Sequence, residues 1–211
     1  MTGLGRNGVE DRIHQSPLAE RVMPVHDKMV STVVTHLEMT AKPNTPTLPH
    51  PTMKIALMRA QKPTISFYRY LYDGIGEAWL WYERRIMSDR DLASIIHDEE
   101  VEVYVLYVGG VPAGLGELDR RFKMDIELAY FGLLPEFIGR RLAPYFLRWL
   151  IDQAWTYEPD RFLVHTCDLD HPRALPLYQR AGFRPYKREE ITFKNPQSRE
   201  IFRNWKDHRG G

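Results

Sequence analysis

The sequence predicts an α/β (α+β) fold: a mixed, mostly antiparallel central sheet of about six or seven strands, flanked by helices. Three observations carry this. Strand-like runs outnumber helical ones. Gly109-Gly110 sits between two of them as a tight hairpin turn. Helical stretches at 142–155 and 172–181 separate the later strand-like runs, so crossovers join them. Hairpins and crossovers in one chain give a mixed sheet, and its apolar faces need helices over them.

The elements follow in order. Residues 30–39 (VSTVVTHLEM) are β-branched and alternating enough for a strand. Residues 42–51 carry four prolines in ten, which no regular helix or central strand absorbs, so they read as an extended connector. An aromatic helix begins at 67–71 and ends near Asp73-Gly74, and a short one spans 89–97 with Ser88 as N-cap. Residues 102–108 and 111–119 are the hairpin strands, and a strand at 125–134 is stopped by Pro135. The helix over 142–155 spaces Leu142, Phe146, Trp149, Leu150 and Trp155 mostly three and four apart. A strand at 162–167, a helix at 172–181 closed by Gly182, and a strand at 183–193 complete the fold. No internal repeat is present. The domain organisation is a flexible N-terminal arm over 1–25, one domain over 26–198 with the proline-rich connector inside it, and a basic tail over 199–211.

Composition bounds the function. The 211 residues carry 29 Lys and Arg against 28 Asp and Glu, a net charge of +1, so no whole-chain field attracts nucleic acid or an anionic membrane. Arg199, Arg203, Lys206 and Arg209 make the tail basic, but Glu200 and Asp207 dilute it, and a solvated terminus explains it. The single cysteine, Cys167, makes no internal disulfide, which fits a reducing cytoplasm, and without three further ligands it builds no zinc site. No metal is expected. No apolar run approaches the roughly 18 residues of a membrane span, and Arg6, Glu10, Asp11, Arg12 and His14 break any leader-like stretch.

The informative junction is a strand, then Pro135-Glu136-Phe137-Ile138-Gly139-Arg140-Arg141-Leu142-Ala143, then a helix. A turn into a helix N-terminus aims several N–H groups and the positive dipole end at one point, which suits an anion. Gly139 permits close approach, and Arg140 and Arg141 add charge. The same residues also fit a plain turn with solvated arginines. A second segment, Leu163 to Phe183, contains Ala174, Leu177, Tyr178, Gly182 and Phe183. It resembles the strand–helix–Gly-Phe signature of the GNAT superfamily of N-acetyltransferases, roughly Asn-x-x-Ala-x-x-Leu-Tyr followed by Gly-Phe. The upstream junction looks like that family's pyrophosphate loop, Gln/Arg-x-x-Gly-x-Gly/Ala. The resemblance covers roughly residues 30–195, weakest before 100. Three departures stand out: Ile138 replaces the leading Gln/Arg, Arg141 the central glycine, and His171 the Asn. Arg141 must therefore hold a backbone conformation usually given to glycine. Pro176 lies inside the second helix, near its start.

The resemblance implies acetyl-CoA as co-substrate and direct acyl transfer to an amine. It implies that the strand holding Phe131 and Leu133 offers backbone hydrogen bonds to pantetheine. Ile138, Gly139, Arg140, Arg141, Leu142 and Ala143 would hold the pyrophosphate, with His171 close by. Tyr178 would protonate the leaving sulfur; its other reading is a ring packed on the sheet. Glu127 is the candidate base, or else a surface glutamate; Glu117 and His165 are the runners-up. Cys167 reads as an inert buried thiol. The acceptor side falls on the aromatic stretch 68–82, with Tyr72, Trp79, Trp81 and Tyr82 as candidate substrate contacts and Asp73, Glu77 and Glu83 as negative charge. That composition suits a cationic amine, and equally suits core or the interface of a homodimer. Two functions follow from different classes: an N-acetyltransferase acting on a small-molecule or peptide amine, and a non-catalytic acyl-CoA-binding or sensing module.

Overall fold

The computed structural model describes residues 29–44 and 48–195, so the arm over 1–25 and the tail over 199–211 lie outside the described residues. Seven strands form one sheet: β1 (Met29–Met39), β2 (Ile55–Arg59), β3 (Val101–Val108), β4 (Val111–Asp119), β5 (Asp125–Leu133), β6 (Arg161–Cys167) and β7 (Arg184–Lys194). Their order is β2-β3-β4-β5-β6-β1-β7. Every neighbouring pair is antiparallel except β5–β6. Five helices cover it: α1 (Ile65–Gly76), α2 (Glu83–Ile86), α3 (Asp89–Ile96), α4 (Leu142–Ala154) and α5 (Ala174–Ala181).

Strand alternation splits the core in two. Tyr104 and Leu106 of β3 join Phe146, Leu147, Leu150 and Ile151 of α4 on one face, with Tyr178 of α5 beside them. Val103 and Val105 join Tyr68, Leu71, Tyr72 and Ile75 of α1, and Leu92 and Ile96 of α3, on the other. Gly109 and Gly110 have φ of 60° and 87°, the pair of left-handed residues that a two-residue hairpin requires.

Two features of β5 shape the site. Glu117 pairs with Tyr130 while Leu118 pairs with Leu128, so Ala129 is an extra residue in a β-bulge that bends the strand. The parallel β5–β6 ladder covers only Asp125↔Arg161, Ile126↔Phe162 and Glu127↔Leu163. Beyond it β6 stays with β1 as far as Cys167↔Val34, while β5 stays with β4 as far as Leu133↔Gly114. The sheet therefore opens into a wedge between two arms, β2-β3-β4-β5 and β6-β1-β7.

The structure departs from the sequence reading in four places. The first helix does not stop near Gly74 but runs to Gly76. A Cβ on Gly74 would meet Leu134 Cδ2 at 2.6 Å, and one on Gly76 would meet the Trp81 side chain at 2.4 Å. These glycines are helical because close packing needs them, outweighing a propensity cost of about 1 kcal/mol each. Strand β2 was not legible: its five residues lie between prolines and take their conformation from pairing with β3. Helix α2 was not legible either, because one turn has no period to show. Helix α5 starts at Ala174 rather than 172, which puts Pro176 in its first turn, where its missing N–H is no loss.

Candidate active site

The wedge is the mouth of a cleft of about 450 Å³. One side of it is the junction between β5 and α4. A short 3₁₀ turn over Pro135–Phe137 ends β5, and the chain then passes through Gly139 (φ 83°) and Arg141 (φ 59°, ψ 20°) into α4. Arg141 thus holds the left-handed conformation expected of it, at a cost of about 1–2 kcal/mol for a residue with a Cβ. No side chain caps α4. Among the described residues the N–H groups of Gly139, Arg140, Arg141, Leu142 and Ala143 have no backbone or side-chain acceptor. They converge on a helix N-terminus as an open anion cradle.

Ile138, Gly139, Arg141, Leu142 and Ala143 all line the cleft, as do Phe131, Leu133 and His171. Arg140 differs from expectation in its side chain: the guanidinium lies 5.2 Å from the Phe137 ring centre and does not line the cleft, leaving only its N–H for an anion. Two cations on the same side were not singled out, Arg173 and Arg180, from the turn before α5 and from α5 itself. The signal for Arg180 was available, since it lies two residues past Tyr178.

Tyr178 lines the cleft and is buried, packed edge-on to Phe131 (6.3 Å) and Phe183 (6.0 Å). Burial raises its phenol well above the ordinary range, with the Asp170 charge adding to the shift. The phenol is therefore held in its proton-bearing form. Its hydroxyl makes no hydrogen bond among the described residues.

Glu127 does not line this cleft. It sits in a smaller hollow behind it, with His36, Leu163 and Tyr186, and His165 borders both spaces. Glu127 Oε1 lies 2.9 Å from His165 Nδ1, and this hydrogen bond is the main cause of the raised His165 pKa. With Nδ1 carrying the proton toward Glu127, Nε2 is the free base. The sequence named both residues separately; the wedge brings them together, because β6 leaves β5 directly after Leu163. The other runner-up is excluded by geometry. Glu117 is fully buried, accepting from Tyr68 Oη (2.5 Å) and from Arg84 Nη2 (2.7 Å).

The acceptor candidates divide as well. Trp79, Trp81 and Tyr82 line the cleft, whereas Tyr72 is fully buried in the core between α1 and the sheet and does not reach it. Tyr72 packs against Trp81 (5.3 Å) and Tyr130 (4.9 Å), holding contact residues rather than being one. Asp73 is likewise buried and paired with Arg85. Glu83 does line the cleft, accepting a hydrogen bond from Tyr130 Oη at 2.8 Å. The segment 79–82 reaches across the wedge: Trp79 meets His171 at 5.0 Å, and Tyr82 stacks on Phe193 of β7 at 5.5 Å. Thr32 and Val34 of β1 and Ile191 and Phe193 of β7 form the opposite wall. Nothing local in the sequence marks these four; only the pairing of the first strand with the last brings them there. Cys167 is half-buried on this wall, and burial pushes its thiol up, as fits an inert group.

A wedge in a mixed sheet, an anion cradle at a helix start and a buried phenol in one cleft define an acyltransferase fold. The chain belongs to the GNAT acetyltransferase family, whose model matches residues 60–183. No curated protein matches the chain. Among solved structures it resembles a functionally unknown conserved protein from Staphylococcus epidermidis, with TM-score 0.54 and 15% identity over 79% of this chain and 63% of that one. It also resembles the ribosomal-protein-S18-alanine N-acetyltransferase of Escherichia coli (TM-score 0.53, 12% identity, 67% of this chain and 94% of that one). A third likeness is to an IAA acetyltransferase from Bacillus cereus (TM-score 0.50, 21% identity, 64% and 79%). The chain thus spans less than two thirds of the S. epidermidis protein, and at these identities the likeness is one of fold.

Proposed function

We propose that this protein transfers an acetyl group from acetyl-CoA to a primary amine of a small molecule or peptide by direct attack. The observation that carries the reading is the set of open N–H donors at 139–143 facing the cleft that also holds Tyr178. Acetyl-CoA supplies a thioester carbonyl and a thiol leaving group. The free edge of β5 beyond Glu127 holds the pantetheine arm. The 139–143 cradle, with Arg141, Arg173 and Arg180 around it, holds the phosphates. His165, oriented by Glu127, takes the proton from the incoming ammonium at Nε2. The amine nitrogen then bonds to the acyl carbon as the C–S bond breaks, Tyr178 gives its proton to the sulfur, and the second proton that the acylated nitrogen sheds returns through solvent to the Tyr178 phenolate. Burial that raises the phenol also raises the thiolate facing it, so the two stay matched.

Calorimetric titration with acetyl-CoA tests this, with Ala143→Asp alongside. A carboxylate at the cradle repels phosphates, so micromolar binding by the natural sequence should be abolished in the variant. Binding must be followed by release of CoA when amines are added. Binding without turnover across amines would favour the acyl-CoA-sensing module instead, and absence of binding would refute both.

A further inference from the structure

The acceptor half of the cleft carries a charge pattern that narrows the amine. The cations Arg141, Arg173 and Arg180 all stand on the phosphate side, around α4 and α5. The other half is walled by Trp79, Leu80, Trp81 and Tyr82 on one arm and by Thr32, Val34, Ile191 and Phe193 on the other. Among the described residues it has no lysine or arginine in its lining. Arg84 lies behind Tyr130, 5.2 Å from its ring centre, but its charge is taken up by buried Glu117.

Two carboxylates line the whole cleft. Asp170 is engaged at Oδ2, accepting from Thr166 Oγ1 (2.7 Å) and the Cys167 N–H (2.9 Å), and stands at the turn after β6 with His171 and Arg173, on the phosphate side rather than on the aromatic wall. Glu83 is held at Oε2 by Tyr130 Oη, and among the described residues its Oε1 accepts nothing. Its charge is felt within the site, since it contributes to the raised pKa values of Tyr130 and His165. Among the described residues Glu83 is thus the one carboxylate on an otherwise apolar and aromatic wall of the cleft that His165 also lines. Four of the wall residues belong to β1 and β7, outside the 60–183 span shared with the family.

Resting on the acyltransferase reading, we infer that the acceptor is an amine with a single positive charge on an apolar, aromatic-sized body and no carboxylate beside it, recruited by Glu83. The ammonium pairs with Glu83 and the aromatic faces on its way to His165. An α-amino acid would bring a carboxylate into a wall with no cation to pair it and with Glu83 repelling it, which is the arrangement that rejects a ligand most strongly.

The test compares 2-phenylethylamine, L-phenylalaninamide and L-phenylalanine by CoA release at fixed acetyl-CoA, with acetyl-CoA affinity measured separately by calorimetry. The last two share a body and differ in the carboxylate charge. The expected result is turnover of the first two and a loss of roughly 100-fold in kcat/KM for L-phenylalanine. Glu83→Gln should lower kcat/KM for 2-phenylethylamine by roughly 10-fold or more while leaving acetyl-CoA affinity unchanged. It should also leave inhibition by 2-phenylethanol unchanged, since that body carries no charge for Glu83 to hold. With acetyl-CoA bound, preference for L-phenylalanine, indifference to Glu83→Gln, or turnover of none of the three overturns the inference and leaves the acyltransferase reading standing. Failure to bind acetyl-CoA removes both.

Discussion

Glu117→Ala breaks a buried ion pair that ties α2, beside the aromatic half of the cleft, to β4. The Glu117 side chain is fully buried and that of Arg84 is 8% exposed, with Nη2 and Oε1 2.7 Å apart and Tyr68 Oη donating to the other oxygen. Removing the carboxylate leaves a guanidinium in the core without its anion. Such losses cost about 3–5 kcal/mol. Taking ~4 kcal/mol and ~3 °C per kcal/mol for a domain of this size, the melting temperature should fall by about 12 °C. Replacing all three partners by apolar residues of similar shape (Tyr68→Phe, Arg84→Met, Glu117→Leu) should bring stability back to within about 1 kcal/mol of the natural protein, since no charge is then stranded. Differential scanning calorimetry measures both. Because Arg84 follows Glu83 in α2, the single variant should also raise the KM for amine more than that for acetyl-CoA. A single-variant loss under about 1 kcal/mol, or a triple variant as unstable as the single, would refute the reasoning.

Three further outcomes follow from the site. Tyr178→Phe should lower kcat by roughly 100-fold with acetyl-CoA affinity unchanged, read by steady-state kinetics beside calorimetry. If neutral His165 is the base, kcat/KM should rise with pH through a midpoint above the ordinary histidine value. Glu127→Gln should move that midpoint down, because the hydrogen bond that the Glu127 carboxylate accepts from His165 Nδ1–H is what raises it most; a midpoint unmoved by the substitution would count against the pairing. Arg141→Gly should act in opposite directions on two readouts: thermal stability rises by up to about 1 kcal/mol as left-handed strain is relieved, while acetyl-CoA affinity falls by roughly 10-fold with the loss of a cation on the phosphate side.

The central elements were legible because their signals are local. Gly109-Gly110, the Ser88 cap and the spacing of Leu142, Phe146 and Leu150 each fix one element without reference to the rest. The turn of open N–H groups at 139–143 was legible for the same reason: its donors are consecutive in sequence. The aromatic half of the cleft was not, because it is assembled from β1, β7 and the 79–83 segment by pairing across the whole chain. The buried charges were hidden too. Glu117 on an alternating strand and Arg84 in one helical turn look like solvated residues until the fold places them 2.7 Å apart. Tyr72 shows the converse: aromatic residues one helical turn from a site read like contacts, and burial alone reveals which one supports the others.

The place of β1 in the sheet sets how long it waits for its partners while the protein is made. Among the described strands β1 is the first to leave the ribosome, yet it lies between β6 and β7, with Val34 opposite Cys167 and Val30 opposite Phe193. At ~5–20 residues per second, its final partner is synthesised about 8–30 s later. Until β6 is made both its hydrogen-bonding edges are open along VSTVVTHLEM, and until β7 follows one still is, on a β-branched stretch prone to pair with whatever strand it meets. The same arrangement sets Met29 opposite Lys194, so the two ends of the described domain lie side by side. A circular permutant that moves β1 behind β7 would give this strand its partners on emergence and leave the cleft unchanged.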